Sequence, residues 1–228
     1  MSDEDLLKII IGVVSAFAGW ILAQLTSGLK TWLQRRKIQK LLLEELTDLD
    51  TEINRLYFFY ARQLEIHGAM GVSSESAAGL SNPIYRGYYK DALLSLNQKQ
   101  RISYQMIHSL VELANVGIID LRDKSSEIYA KNASGGMTKE LAKSCDAWGK
   151  AARAQFQSCA SLQWQIRFHL QNMGGPDLRP YTEHHEKFLI HLQEVQKKAD
   201  EFIANGKTID RGKFDQMYDP STFSRAAP

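Results

Sequence analysis

The sequence predicts an all-α protein: a single N-terminal transmembrane helix that continues into a cytoplasmic antiparallel helical bundle of about four helices. The 17 residues at positions 9–25 are uncharged and mostly apolar, which is long enough to cross a bilayer. Four later segments repeat apolar residues at three- and four-residue spacing, as helices with one buried face do. Short alternating runs of β-branched residues, which indicate strands, are nearly absent.

Two other interpretations of residues 9–25 stay open. A cleaved signal peptide starts with a positively charged region, whereas the first residues of this chain include the acidic Asp3, Glu4 and Asp5. Residues 16–18 (Ala-Phe-Ala) nevertheless resemble a cleavage site. The core helix of a soluble domain can have a similar length and composition. The transmembrane interpretation is favoured because of the charges that flank the segment.

Five basic residues follow the apolar segment before the next acidic residue, Glu44. They are Lys30, Arg35, Arg36, Lys37 and Lys40, here called the basic collar. Because the N-terminal flank is acidic, the positive-inside rule predicts that the N-terminus lies outside and that residues 28 onward lie in the cytoplasm. The collar can also bind anionic lipid head groups. A topology signal with no specific lipid site is the alternative.

Small side chains fall on one side of the predicted transmembrane helix and bulky side chains on the other. The small residues, here called the small face, are Gly12, Ser15, Ala16, Gly19 and Ala23. Small residues four positions apart let helix backbones approach closely inside a membrane, so the small face predicts a homo-oligomer. Lys8, Ser15 and Thr26 add polar groups to this side, which is typical of helices that line a pore.

The first helix is predicted to continue through the collar to about residue 67, because residues 30–67 contain neither Pro nor Gly. Its predicted core residues keep helical spacing: Ile38, Leu42, Leu46, Leu49, Ile53, Leu56 and Tyr60. A loop rich in Gly, Ser and Ala is predicted for residues 68–83. A second helical stretch is predicted at 85–130, with a weak point at 115–117 and with Leu113 and Ile119 in the core.

The third helix is predicted at residues 139–173, where Gly174, Gly175 and Pro176 end it. The fourth is predicted at 181–204 and is closed by Asn205 and Gly206. The predicted organisation is therefore a membrane segment over 1–27, one helical domain over 28–206 and an extended tail over 207–228. Segments joined by short Gly- and Pro-containing loops are typical of antiparallel bundles.

Composition and motifs exclude several classes of function. The formal net charge is +2, so nucleic-acid binding is not predicted. Phosphate-binding loops and zinc-binding patterns are missing, so neither a cofactor nor a metal is predicted. His184 and His191 lie seven residues apart on one predicted helix, and we interpret them as solvated surface residues. Cys145 and Cys159 are predicted to be reduced core thiols.

Four arginine–histidine pairs with four to six intervening residues resemble the catalytic motif of HEPN ribonucleases. Arg179 and His184 are the best-placed pair, because they precede and open the last predicted helix. The family usually carries Asn, Asp or His directly after the arginine, where this chain has Pro180. Packing or capping roles for these residues are favoured, so an enzyme is not predicted.

The layout as a whole resembles single-pass bacterial membrane effectors of anti-phage defence. It is similar to the pore-forming accessory proteins of type VI-B CRISPR systems, which combine a membrane helix with a HEPN-like bundle. The resemblance implies a location in the bacterial inner membrane and an oligomer whose helices form or gate a pore. The expected partners are the lipid bilayer and other copies of the chain. The alternative is a membrane-tethered adaptor that docks a cytoplasmic protein, and a ribonuclease ranks below both.

Overall fold

The computed structural model describes residues 3–135 and 138–209, with side chains over 12–133 and 138–209. All regular structure in these ranges is helical, which confirms the all-α prediction for them. The elements are α1 (Asp3–Gly68), α2 (Pro83–Ala92), a 3₁₀ turn (Leu93–Ser95), α3 (Gln98–Gly135), α4 (Lys139–Gln171) and α5 (Glu183–Gly206). The predicted tail lies outside the described residues from position 210 onward.

The chain divides into two compact units. The first contains the chain up to Glu44 together with Pro83–Leu96, and the second contains Glu45–Asn82 and the residues from Asn97 onward. In the second unit α3 packs on α4, and α4 packs on α5. The Trp148 indole on α4 is fully buried and donates a hydrogen bond from Nε1 to Ser125 Oγ on α3 (2.8 Å).

Helix α1 runs without interruption from the apolar segment through the collar, as the sequence predicts. The predicted core residues of its second half are buried: Ile38, Leu42, Leu46, Leu49, Ile53, Leu56 and Tyr60. A strictly kept three-four spacing places such residues on one side of a helix, which explains why this prediction succeeds. The predicted loop after α1 is also confirmed, since residues 69–82 contain no regular element.

The predicted weak point at residues 115–117 is wrong, because α3 passes through them and the break lies at residues 93–97. Asn97 and Gln100 cause this break by capping each other. The Gln100 backbone N–H donates to Asn97 Oδ1 (3.0 Å), and the Asn97 backbone N–H donates to Gln100 Oε1 (2.9 Å). This reciprocal capping box starts a new helix at Gln98.

Asn115 and Gly117, which suggested a weak helix, instead have packing roles. Asn115 holds the preceding loop by accepting a hydrogen bond from the Leu80 backbone N–H (2.7 Å) and donating one to the Leu80 carbonyl (3.0 Å). A Cβ atom at Gly117 would overlap with the side chain of Gln155 on α4. Both residues therefore fit their neighbours without bending α3.

The predicted core register of α3 is wrong at Leu113 and Ile119, whose side chains are exposed. The buried residues of this part of the helix are Val111, Ala114, Ile118 and Leu121. Apolar residues occur on more than one side of α3, so spacing alone does not identify the buried side.

Threonine residues cap α4 and α5 at their N-termini. Thr138 Oγ1 accepts a hydrogen bond from the Leu141 backbone N–H (3.1 Å), and Thr182 Oγ1 accepts one from the His185 backbone N–H (3.3 Å). Helix α4 then ends two residues before the predicted boundary, and α5 begins two residues after it. Differences of this size are usual for helix ends.

The two cysteines are free thiols in different surroundings. Cys159 is buried, and this burial raises its pKa to about 12, so the prediction of a core thiol is confirmed there. Cys145 is only half-buried, so the prediction that it is a core thiol is wrong. It lies at the margin of the buried stripe of α4.

Candidate functional site

The N-terminal part of α1 exposes a continuous apolar surface. Trp20 is 59% exposed, and no residue of the most apolar window of this helix is buried. Among the described residues, α1 is the one helix long and apolar enough to cross a membrane. The large exposed residues are Val13, Val14, Phe17, Trp20, Ile21, Leu22, Leu25, Leu29, Trp32 and Leu33. Exposed apolar side chains thus occur as far as Leu33, eight residues beyond the predicted segment, with Lys30 and Thr31 among them.

The small face of α1 is uncovered in the protomer. A Cβ atom added at Gly12 or Gly19 would have no heavy atom within 4 Å, and Ser15, Ala16 and Ala23 are exposed. Backbone is therefore accessible along this side, as close approach of a second helix requires.

Thr26 extends the small face by one turn, and its hydroxyl is satisfied within α1. Thr26 Oγ1 donates to the Leu22 carbonyl at 2.8 Å. A hydroxyl that bonds to the preceding turn can face lipid at lower cost than a free one. Thr26 alone therefore does not require a water-filled surface.

The basic collar overlaps the end of the apolar surface, because Lys30 precedes the exposed Trp32 and Leu33. Lys40 pairs with Glu44 (Nζ to Oε1, 3.5 Å), and Arg35 is half-buried. The Arg36 guanidinium lies over the Trp32 ring, with Cζ 4.1 Å from the ring centroid. Trp32 is not among the predicted site residues, although a Trp four residues before an Arg on a helix is at the spacing where the two side chains meet.

Arg179 lies in the loop between α4 and α5 and pairs with Asp177. Its Nε and Nη2 donate to the Asp177 carboxylate at 2.9 and 2.6 Å, and Lys99 Nζ lies 2.8 Å from the same carboxylate. These two cations hold the pKa of Asp177 well below its usual range. The Arg179 side chain is 74% exposed, so this ion pair is a local contact within the loop and not a packing contact in the core.

His184 lies in the first turn of α5 and belongs to an aromatic stack. Its ring centroid is 3.4 Å from that of Phe168 and 6.1 Å from that of Trp164, and its Nε2 lies 3.3 Å from Gln165 Oε1. Burial lowers the pKa of His184, and the charge of neighbouring His185 lowers it further. Both effects favour the neutral form of the His184 ring.

Two other arginine–histidine pairs, Arg62 with His67 and Arg101 with His108, have histidines that are half-buried and buried, respectively. His108 is 3% exposed, its Nδ1 lies 3.1 Å from Asn82 Nδ2, and its Nε2 lies 4.0 Å from a carboxylate oxygen of Glu45. His67 is half-buried near Trp148 on α4, with ring centroids 6.4 Å apart, and burial lowers its pKa. An RNA backbone cannot reach His108 without opening the core.

A groove of about 580 Å³ runs between α4 and α5 beside this aromatic stack. His191 lies in it with its ring centroid 4.5 Å from that of Trp164, and burial lowers its pKa. The prediction that His184 and His191 are solvated surface residues is therefore wrong, because both stack on Trp164. Across the described part of the chain, no three His, Cys, Asp or Glu side chains form a metal-binding group.

Comparison of the chain with protein-family models, curated proteins and solved structures found no match.

Proposed function

We propose that this chain is a single-pass protein of the bacterial inner membrane that self-associates through the small face and changes membrane permeability. The observation that carries the proposal is the uncovered apolar surface of α1 from residue 12 to residue 33. Exposed apolar surface costs about 25 cal/mol per Å² in water, so a helix with apolar residues around its circumference needs a lipid or protein environment.

The length of the apolar surface fits a bilayer. Residues 9–29 of α1 would extend about 30 Å at about 1.5 Å per residue, which matches the hydrocarbon core. Trp32 then lies at the expected depth of the head groups, where Trp side chains are enriched, with Arg36 on its ring. This placement accounts for the end of the apolar surface at Leu33 and for the four basic residues of the collar that follow it.

Continuity of α1 favours a permanent anchor over the two alternatives. A soluble core helix buries its apolar surface, whereas this part of α1 is exposed. A signal peptide ends in an extended cleavage region, whereas α1 continues as a helix to Gly68. The same helix also contributes the buried residues Ile53 and Leu64 to the core of the second unit, so cleavage after residue 18 would leave α1 shortened at its N-terminus.

The collar supports an orientation with the N-terminus outside and the body in the cytoplasm. We expect alkaline phosphatase fused to the C-terminus to be inactive and a fluorescent protein fused there to be bright. Strong phosphatase activity of the C-terminal fusion would show the opposite orientation. Reversing the charge of Arg35 and Arg36 to Glu should increase that phosphatase activity, because it removes part of the positive-inside signal.

Self-association places the small faces of several α1 helices in contact, which gives Ser15 an environment other than lipid. A ring of such helices encloses a pore for ions, and the width of this pore depends on the number of subunits. By resemblance to anti-phage membrane effectors, we propose that this pore opens on infection and depolarises the cell. The four-helix part of each chain would then form a cytoplasmic antiparallel bundle.

Controlled over-expression tests the proposal through the membrane potential. We expect the full chain to collapse the signal of a voltage-sensitive dye, because an open path dissipates ion gradients. A variant that lacks residues 1–27 should leave the potential unchanged and remain folded by circular dichroism. An unchanged potential with the full chain under every trigger tried would contradict a permeability function.

A membrane-tethered adaptor is the second candidate, and the α4–α5 groove favours it. The groove combines aromatic rings with the exposed charges of Arg167 and Lys187, a mixture found in many peptide-binding surfaces. The adaptor is supported if the potential stays intact while a soluble protein is recruited to the membrane through Trp164. A ribonuclease is less compatible with the buried His108 and the stacked His184.

A further inference from the structure

We propose that two residues of the collar, Arg35 and Arg36, bind the phosphate of an anionic membrane lipid in the groove between α1 and the 3₁₀ turn. This proposal rests on the proposed membrane location of α1 and identifies an anionic lipid as a partner of its collar. The groove has a volume of about 540 Å³ and contains six polar or aromatic side chains at its collar end. They are Thr31, Trp32, Arg35, Arg36, Gln39 and Ser95.

A contact between distant parts of the chain closes one end of the groove. Gln39 Nε2 on α1 donates to the Ser95 carbonyl at 2.8 Å, across 56 positions of sequence. Ser95 Oγ donates to the Ala92 carbonyl at 2.7 Å, which orders the 3₁₀ turn. At the other end, a Cβ atom added at Gly28 would have no heavy atom within 4 Å, so the groove has room there.

The two arginines of the groove have no carboxylate partner in the described part of the chain. Arg35 is half-buried, and Arg36 is held against the Trp32 ring at 4.1 Å. Lys40, outside the groove, already has Glu44 as its partner. Guanidinium groups that are ordered but not neutralised match phosphate well, since each can donate two parallel hydrogen bonds to it.

A lipid is favoured over a free phosphate because apolar surface adjoins the groove on both sides. Ile21 and Leu25 lie seven residues before Gly28 and Trp32, so they share their side of α1 and can hold acyl chains. Leu94, next to Ser95, is 81% exposed. An exposed leucine beside a groove that also contains a tryptophan is suited to the head-group region.

Native mass spectrometry of the full chain in mild detergent tests the site. We expect phosphatidylglycerol to be retained in preference to phosphatidylcholine, and Arg35→Gln to weaken its binding about tenfold, because a charged hydrogen-bonding partner is lost. Lys37→Gln is the matched control, since it removes the same charge from the collar outside the groove. It should change the affinity less than about twofold. Arg35→Lys should fall between the two.

Each other outcome has a distinct meaning. Equal losses for Arg35→Gln and Lys37→Gln would show diffuse attraction by the collar and overturn the site. Displacement of phosphatidylglycerol by excess inorganic phosphate would show a free-anion site and overturn the lipid assignment. Alkaline carbonate extraction separates this inference from the membrane proposal. If the chain stays in the membrane pellet but retains no lipid, only the lipid site in the groove is refuted. If the chain is released to the supernatant, the transmembrane anchor is refuted.

Discussion

Replacing Gly68 or Gly206 by alanine is expected to destabilise the second unit strongly, although Gly→Ala within a helix usually stabilises by about 1 kcal/mol. A Cβ atom at Gly68 would overlap with the Ile203 carbonyl oxygen, and one at Gly206 would overlap with the Glu65 carbonyl oxygen. The obstacles are backbone atoms, which cannot rotate away as a side chain can. Helices α1 and α5 must therefore separate, and the expected cost is about 3 kcal/mol for each variant.

Thermal unfolding of the full chain in detergent measures this effect. A loss of about 3 kcal/mol corresponds to a fall of about 10 °C in Tm for a domain of this size. Gly87→Ala in α2 is the matched control, because no heavy atom lies within 4 Å of its Cβ position, and it should be neutral or stabilising. The double variant of Gly68 and Gly206 should lose less than the sum of the single losses, since both act on one helix crossing. Additive losses would mean that the two contacts are independent.

This helix crossing illustrates what the sequence predicts and what it does not. The sequence identifies Gly206 as the end of α5, because a glycine after an apolar stripe is a common stop signal. It contains no sign that Glu65 and Ile203 backbone atoms lie against the two glycines, since that requires knowing which helices cross and where. Glu65 itself is half-buried at this crossing, and burial raises its pKa to about 7.

Local chemistry could have corrected the main error in the predicted helices. The sequence contains the capping box of Asn97 and Gln100, but the apolar spacing on both sides of it suggested a continuous helix. Asn115 suggested a weak helix because Asn is a poor helix former, yet its partner Leu80 lies 35 positions away. Capping signals outweigh periodicity where the two conflict, and long-range partners outweigh propensity.

The candidate site also has parts that the sequence alone identifies and parts that depend on tertiary packing. The collar and the small face are linear patterns on one helix, so the sequence alone identifies every member of both. The groove beside the collar depends on the return of Ser95 to Gln39, which no local pattern encodes. The aromatic stack of Trp164 with His184 and His191 likewise depends on the packing of α4 against α5.

A substitution that introduces a larger side chain on the small face is expected to disrupt the oligomer. The same substitution on the opposite face of α1 is expected to leave the oligomer intact. Ala16→Leu and Ala18→Leu are the same substitution, two positions apart and about 160° apart around α1. Both side chains are exposed in the protomer, so neither change should affect folding of the body. Ala16 lies between Gly12 and Gly19 where a second helix would contact backbone, whereas Ala18 lies on the bulky side.

Overpacking of a close helix contact costs about 1–3 kcal/mol, so Ala16→Leu should weaken association about tenfold or more. Gly19→Leu should have at least the same effect, because it removes the open backbone that the structure shows at this position. Native mass spectrometry measures the distribution of oligomers, and a voltage-sensitive dye reports activity in cells. Loss of oligomer and loss of depolarisation should occur together in Ala16→Leu and be absent in Ala18→Leu. If the two variants give the same oligomer distribution, the small face is not the interface, and any assembly must then use the helical body.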